Sequence, residues 1–215
     1  MDCAGIKIPK PTPLTSIINY VDLMKKEEIS NNKLKEYLEV IDKKSQRLKK
    51  LTEDLVEASK ASSGNIKLNK ENLNLKELII QEMGEFDEKF KVKGLQIIEN
   101  FPEEELTINA DGKYMSRILD NIFSNISKYA LSNSRVYIDA TVEKGKIKVS
   151  FKNISANQLN ITANELMERF VRGDVSRTTE GSGLGLSIAK SLTELQGGTF
   201  EIYLDGDLFK VEIRF

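Results

Sequence analysis

Residues 181–187 of this 215-residue chain read Gly-Ser-Gly-Leu-Gly-Leu-Ser, a pattern that suits the capture of an anion. Gly181, Gly183 and Gly185 allow close backbone approach and conformations closed to other residues. The amphipathic run Ile188 to Leu195 follows directly, so a helix starting here aims unpaired N–H groups and a positive dipole end at the anion. Alone, a Gly-x-Gly-x-Gly run is a weak signal, and a flexible loop before a helix is the competing reading. A second polar constellation lies upstream, between Arg117 and Tyr129. Ile118, Leu119, Ile122 and Ile126 recur there at helical spacing and predict a core-facing stripe. Asn121, Asn125 and Lys128, at intervals of four and three, share one face. An amide oxygen suits a hard cation such as Mg²⁺, and a lysine offsets the charge of a phosphate. The alternative is an ordinary solvated helix face, where Asn and Lys are common.

The elements that must hold these residues are legible around them. The pattern predicts a short extended piece at Ile66 to Leu68 and one helix from about Leu75 to Lys91. Strands are predicted at Leu95 to Asn100 and Leu106 to Asn109, and the asparagine-bearing helix from about Gly112 to Leu131. Strands follow at Arg135 to Val142 and Lys146 to Phe151, turned by Lys144-Gly145. Then come a helix near Asn164 to Phe170 and a helix from Leu184 to Leu195. The last strands, Thr199 to Leu204 and Phe209 to Phe215, are joined by Asp205-Gly206, a strong hairpin signal. This alternation predicts an α+β fold, a two-layer α/β sandwich around a mixed sheet.

A different pattern precedes it. Leu14, Ile17, Ile18, Val21 and Met24 make one helical stripe, and Leu34, Leu38, Ile41, Leu48, Leu51 and Leu55 make another. The polar stretch Glu28 to Asn32 separates them, so residues 12–60 read as an α-helical hairpin. A lone hairpin exposes much of its stripe. Pairing with a second copy through residues 14–59, as half of a dimeric four-helix bundle, is the expectation, and packing back on the same chain is the alternative. Small and polar residues around 61–65 mark a linker, and residues 66–215 form the sandwich domain.

Composition excludes several classes. Lys plus Arg number 32 against 33 acidic residues, which gives no reason to expect a nucleic-acid partner. No apolar run approaches the roughly 20 residues of a membrane span, and no signal peptide is visible. With Cys3 the single cysteine and no histidine, an internal disulfide, a Cys/His zinc site, Ser-His-Asp catalysis and histidine phosphorylation within the chain are excluded. The expected setting is cytoplasmic, as a free protein or as the cytoplasmic part of a membrane-bound one.

Taken together, the motifs resemble the ATP-binding domain of sensor histidine kinases, within the gyrase–chaperone–kinase–MutL ATPase superfamily. Asn121-Ile-Phe-Ser-Asn125-Ile-Ser-Lys128-Tyr129 resembles the family's asparagine motif, and Glu168-Arg169-Phe170-Val171-Arg172 its phenylalanine motif. Gly181-Ser-Gly-Leu-Gly-Leu186, with the closing Gly197-Gly198, resembles its second glycine motif. The resemblance covers about residues 66 to 215 and reaches back more weakly to Thr12. It implies helices layered on one face of the sheet, and ATP bound with Mg²⁺ between the Asn121 helix and a lid from Arg172 to Glu180. By the same resemblance Asn125 ligates Mg²⁺, Lys128 contacts a phosphate and Tyr129 borders the nucleotide. Gly181, Gly183, Leu184 and Gly185 supply backbone contacts, while Arg172 and Arg177 match lid arginines, with solvated surface charge as their alternative.

Two departures stand out. Where the family carries an aspartate that reads the adenine amine, followed by glycines, this chain has Asn153 and no glycine after it. An Asn side chain still accepts from an exocyclic amine, without the charge assistance of a carboxylate. Where the dimerisation helix of the family carries its phospho-acceptor histidine, this chain has Ile8, followed by Pro9, Lys10 and Pro11. Residues 1–11 therefore read as a leader, either foreign to an expressed fragment or degenerate, and the sharp break before Thr12-Pro13-Leu14 favours the first.

The resulting expectation is the kinase portion of a two-component sensor, with a response-regulator receiver domain as partner. This chain lacks the acceptor histidine and has no catalytic residue of its own for autophosphorylation. The principal rival is a nucleotide-binding signalling scaffold without phosphotransfer. A serine protein kinase of the anti-sigma type normally lacks the hairpin of residues 14–59, and an interaction module with a dead pocket draws its support from Asn153.

Overall fold

The computed structural model describes residues 13–26, 31–62, 67–159, 162–167 and 183–215. The chain divides into two compact units between Leu55 and Val56. In the first, α1 spans Pro13–Lys26 and α2 begins at Asn31 and runs on to Ser62. Pro13 sits at the helix start, where its missing N–H costs nothing. Tyr20 and Tyr37 meet edge to face with ring centroids 5.2 Å apart, tying the two helices together. Leu14, Ile18 and Leu38 remain 53%, 49% and 50% exposed, so much of the apolar stripe is uncovered. Ala61 and Ser62, expected to open the linker, are still helical, since α2 continues through Ser62.

The second unit holds the α/β layers. Five strands form a mixed sheet in the order β2-β4-β5-β7-β6: β2 Gln96–Asn100, β4 Arg135–Glu143, β5 Lys146–Ile154, β6 Thr199–Asp205 and β7 Leu208–Arg214. Only β2 and β4 run parallel. A separate antiparallel pair joins β1, Glu71–Asn74, to β3, Thr107–Ala110. The sequence expectation placed an extended piece at Ile66 to Leu68; Lys67 and Leu68 are irregular, and the strand comes later, at β1. Glu-Asn-Leu-Asn carries no strand periodicity, so its extended form follows from pairing with β3.

Register builds the core. On the inner face Val136, Asn153 and Phe209 align, then Ile138, Phe151 and Val211, then Ala140, Val149 and Ile213. Against this face pack Leu75 and Ile79 of α3 (Leu75–Gly84), Phe90 of α4 (Asp87–Val92), the stripe of α5 (Gly112–Tyr129), and Leu186, Ile188, Ala189 and Leu192 of α7 (Gly185–Leu195). The short α6, Ala163–Met167, adds Leu166 at the margin. Phe123 lies at the centre, with Phe86, Phe90 and Phe151 at 5.9, 6.2 and 5.7 Å between centroids. The single helix expected from Leu75 to Lys91 is two helices. Gly84 ends the first, and Phe86 turns inward to stack on Phe90 at 5.8 Å, taking the chain off the helical path. Val56 onward belongs to this unit, where Glu57 accepts from Arg117 Nε at 2.8 Å.

Candidate functional site

Helix α5 carries most of the candidate residues, and its two ends are tightly specified. Asp111 caps the start: Oδ1 accepts from Tyr114 N at 3.4 Å and Oδ2 from Asn69 N at 2.7 Å. Its own N–H donates to Gln196 Oε1 at 2.7 Å, linking the head of α5 to the tail of α7. Along the helix Asn121 is 8% exposed, Asn125 is half-buried and Lys128 is exposed, so the shared face climbs from core to solvent.

Asn121 donates through Nδ2 to Arg117 O at 2.9 Å. Its Oδ1 lies 2.9 Å from the point a Cβ on Gly185 would occupy, so glycine lets α7 begin against α5. Its side chain is thus bonded back to its own helix and lies close against the head of α7. Asn125 makes no side-chain hydrogen bond among the described residues. Lys128 Nζ donates to Ser124 Oγ at 2.8 Å.

The tail of α5 meets the end of β5. Tyr129 O accepts from Ala156 N at 2.8 Å, Leu131 N donates to Ile154 O at 2.8 Å, and Ala130 bridges Ser155. The end of α5 is thereby tied to the end of β5, just past Asn153. Asn153 is 3% exposed on the inner sheet face, between Val136 and Phe209. Its Nδ2 donates to Ile154 O at 3.1 Å, while Oδ1 is buried without a hydrogen-bond partner among the described residues. A buried acceptor left unpaired costs about 1–3 kcal/mol. A donor arriving with a ligand removes that penalty.

The glycine segment enters at Gly183, whose φ of +76° is left-handed backbone that favours glycine. Leu184 takes the N-cap position of α7 and makes no side-chain cap hydrogen bond. Leu184 is fully buried in the core. Arg172, Arg177 and Gly181, with the phenylalanine motif from Glu168 to Arg172 and the lid to Glu180, lie outside the described residues, as does the leader before Pro13.

One residue escaped the sequence reading. Lys93, just after α4, donates through Nζ to Ser127 O at 3.0 Å and to Lys128 O at 2.8 Å. Burial pushes its ammonium below the usual lysine range. A lysine near a helix tail is a known signal only when it belongs to that helix, and Lys93 does not.

A ligand set of oxygen donors fits this arrangement. Asn125 offers one amide oxygen, and a Mg²⁺ carried on phosphates needs only one or two protein ligands. Among the described residues no group of three or more His, Cys, Asp or Glu side chains is placed to hold a metal ion, and no helix is long and apolar enough to cross a membrane.

Comparison with known proteins adds the following. Residues 110–214 match the family model described as histidine kinase-, DNA gyrase B-, and HSP90-like ATPase, and residues 12–64 match the His kinase A phospho-acceptor domain. The chain is similar to the sensor protein VanS of Enterococcus faecium, 30% identical over 209 residues, which are 94% of this chain and 53% of that protein. The chain thus spans about half the length of that relative. Among solved structures it is similar to the Acinetobacter baumannii histidine kinase AdeS, with TM-score 0.75 and 16% identity over 95% of this chain and 94% of that one. It is also similar to the histidine kinase ThkA in complex with its response regulator TrrA, with TM-score 0.70 and 24% identity over 94% of this chain and 57% of that one. Those two likenesses establish the fold: helices followed by a mixed α/β domain.

Proposed function

This chain belongs to the sensor histidine kinases of two-component systems, and we propose on that premise that its residues 66–215 bind Mg-ATP at the α5–β5–α7 junction. Bound ATP supplies the γ-phosphoryl group that the parent protein passes to a histidine and then to a response-regulator aspartate. ThkA, of the same fold, is found with a response regulator, which supports that choice of partner. The observation that carries the reading is the unpaired Oδ1 of Asn153, buried beside the tail of the helix that bears Asn125 and Lys128. Asn153 accepts from the exocyclic amine of adenine, and the neutral amide replaces a carboxylate in that role. Asn125 holds the metal, Lys128 offsets phosphate charge, and Tyr129 borders the nucleotide. Backbone amides from Gly181 to Gly185 face the phosphates, with Gly183, Leu184 and Gly185 at the head of α7, and Arg172 and Arg177 reach them from the lid. The protein's work in such a transfer is positioning and charge stabilisation.

Residues 12–60 serve as a dimerisation hairpin, joined through 61–65 to the ATP-binding domain. The half-exposed stripe of Leu14, Ile18 and Leu38 supports pairing with a second copy. With no histidine in its 215 residues, this stretch of chain does not phosphorylate itself on histidine.

Calorimetric titration with a non-hydrolysable ATP analogue tests the site. Saturable, Mg²⁺-dependent binding that collapses in Asn125→Ala is expected, and a folded sample that binds nothing would sink the reading. Mixing the chain with a partner half that retains the histidine tests transfer. Phosphorylation of that partner is expected, whereas binding without transfer in confirmed mixed dimers leaves only a nucleotide-sensing scaffold.

A further inference from the structure

The tail of α5 is built more elaborately than a surface helix needs. A helix ends with four carbonyls that lack the usual intrahelical partners, and each such carbonyl here has a donor. Ile126 O accepts from Ala130 N at 2.9 Å and Tyr129 O from Ala156 N at 2.8 Å. The two between them, Ser127 O and Lys128 O, both accept from the Lys93 ammonium. Lys93 also grips this stretch through its main chain, since its carbonyl accepts from Asn133 N at 3.0 Å. The grip is closed by Gly94, whose φ is +67° and whose added Cβ would lie 2.2 Å from Asn133 Oδ1. One residue outside the helix thus fixes the segment from Ser127 to Asn133 from both sides.

We infer that Lys93 is a positioning residue for the nucleotide, acting through the last turn of α5 to hold Lys128 and Tyr129 in their binding geometry. The inference rests on the functional reading above and goes beyond it, because among the described residues the Lys93 ammonium donates to backbone carbonyls. Two physical effects follow from its place. The carbonyls of Ser127 and Lys128 are fixed, so the Lys128 side chain departs from a rigid Cα, and its Nζ is steadied further by Ser124 Oγ. The cation also sits at the negative end of the helix dipole, where it reduces the repulsion that a phosphate would meet there. A residue serving stability alone produces the first effect on folding and neither effect on affinity.

The test compares the unchanged chain with Lys93→Met, Lys93→Arg, Lys128→Met and the Lys93→Met/Lys128→Met double variant. Each is titrated with a non-hydrolysable ATP analogue and Mg²⁺ at a temperature where circular dichroism reports a folded chain. Lys93→Met is expected to weaken binding about tenfold, the scale of one lost charge-assisted contact. Lys93→Arg, with several N–H donors, is expected to recover most of that affinity. In the Lys128→Met background the further loss from Lys93→Met is expected to shrink to about twofold, because the two residues act as a unit. Undiminished affinity in Lys93→Met overturns the inference, and so does a full tenfold loss that persists without Lys128. If Lys93→Met does not fold, Lys93→Gln, which keeps a neutral donor, is read by the same criteria. No binding by the unchanged chain overturns the functional reading and this inference with it.

Discussion

Asn153 occupies a row of the sheet in which its neighbours across both strands, Val136 and Phe209, are apolar and buried. A side chain chosen for stability would match them. The unpaired Oδ1 costs about 1–3 kcal/mol, and the Nδ2 bond to Ile154 O returns about 1 kcal/mol. Asn153→Val is therefore expected to stabilise the free protein by about 1 kcal/mol, which raises Tm by about 2–4 °C in a unit of this size. The same change is expected to abolish measurable binding of the ATP analogue. A melt that falls, or a titration that is unchanged, would contradict the assignment of this residue to the ligand. Opposite signs for stability and affinity are the signature of a group held in place for binding.

Among the elements, the junction of α5 and α7 is the tightest link in the candidate site. Gly185 is helical without unusual backbone, so its identity is set by space: an added Cβ meets Asn121 Oδ1 at 2.9 Å. Gly185→Ala is expected to push the Asn121 amide away from Arg117 O and to destabilise the protein by about 1 kcal/mol. In an Asn121→Ala background the same substitution becomes neutral or stabilising, since alanine is favoured over glycine in helices by up to about 1 kcal/mol. Urea denaturation of the four variants measures the coupling directly, and additive effects would show that the two residues do not share the contact. The break between α3 and α4 teaches a related lesson. A helical periodicity from Leu75 to Lys91 was locally consistent, but burial of Phe86 against Phe90 and Phe123 outweighed helix continuity.

At the scale of the whole molecule, the two faces of the sheet are organised by opposite rules. The inner face is apolar, while the outer face carries charge in alternating rows. Lys152 and Lys210 align between Tyr137 and Tyr203, and the next row carries Asp139, Ser150, Glu212 and Glu201. Burial alone would raise the Asp139 carboxyl, but the Lys152 ammonium at 2.7 Å, with Asn100 and Ser150, holds it below the usual aspartate value. Burial likewise opposes Glu212, and Lys210 at 2.7 Å together with Arg214 prevails. Both folded values are lower than the unfolded ones, so the unfolded chain binds more protons between them. The stability these carboxylates contribute is present above about pH 4 and lost as pH falls through the folded values. The urea midpoint is expected to drop steeply below about pH 4 and less steeply in Asp139→Asn. An identical acid limb in that variant would mean that Asp139 contributes nothing to acid sensitivity.

Local information was sufficient for much of this molecule. The helical spacing of Ile118, Leu119, Ile122 and Ile126, the Asp205-Gly206 turn and the glycine segment each act within a few residues, and α5, the β6–β7 hairpin and α7 lie where those signals put them. Motif order and spacing identified the family for the same reason, because a helix face and a backbone loop are specified by consecutive residues. What the sequence left open depended on partners distant along the chain. The pairing of β1 with β3, the burial of Leu184, the close approach of Gly185 to Asn121 and the orphaned oxygen of Asn153 arise only when strands take register and helices dock. Lys93 is the extreme case. It lies more than thirty residues from the carbonyls it caps, and nothing in its neighbours predicts them. Periodicity and turn chemistry are short-range properties of the chain, while the satisfaction of a buried polar group is settled by whichever group folding brings beside it.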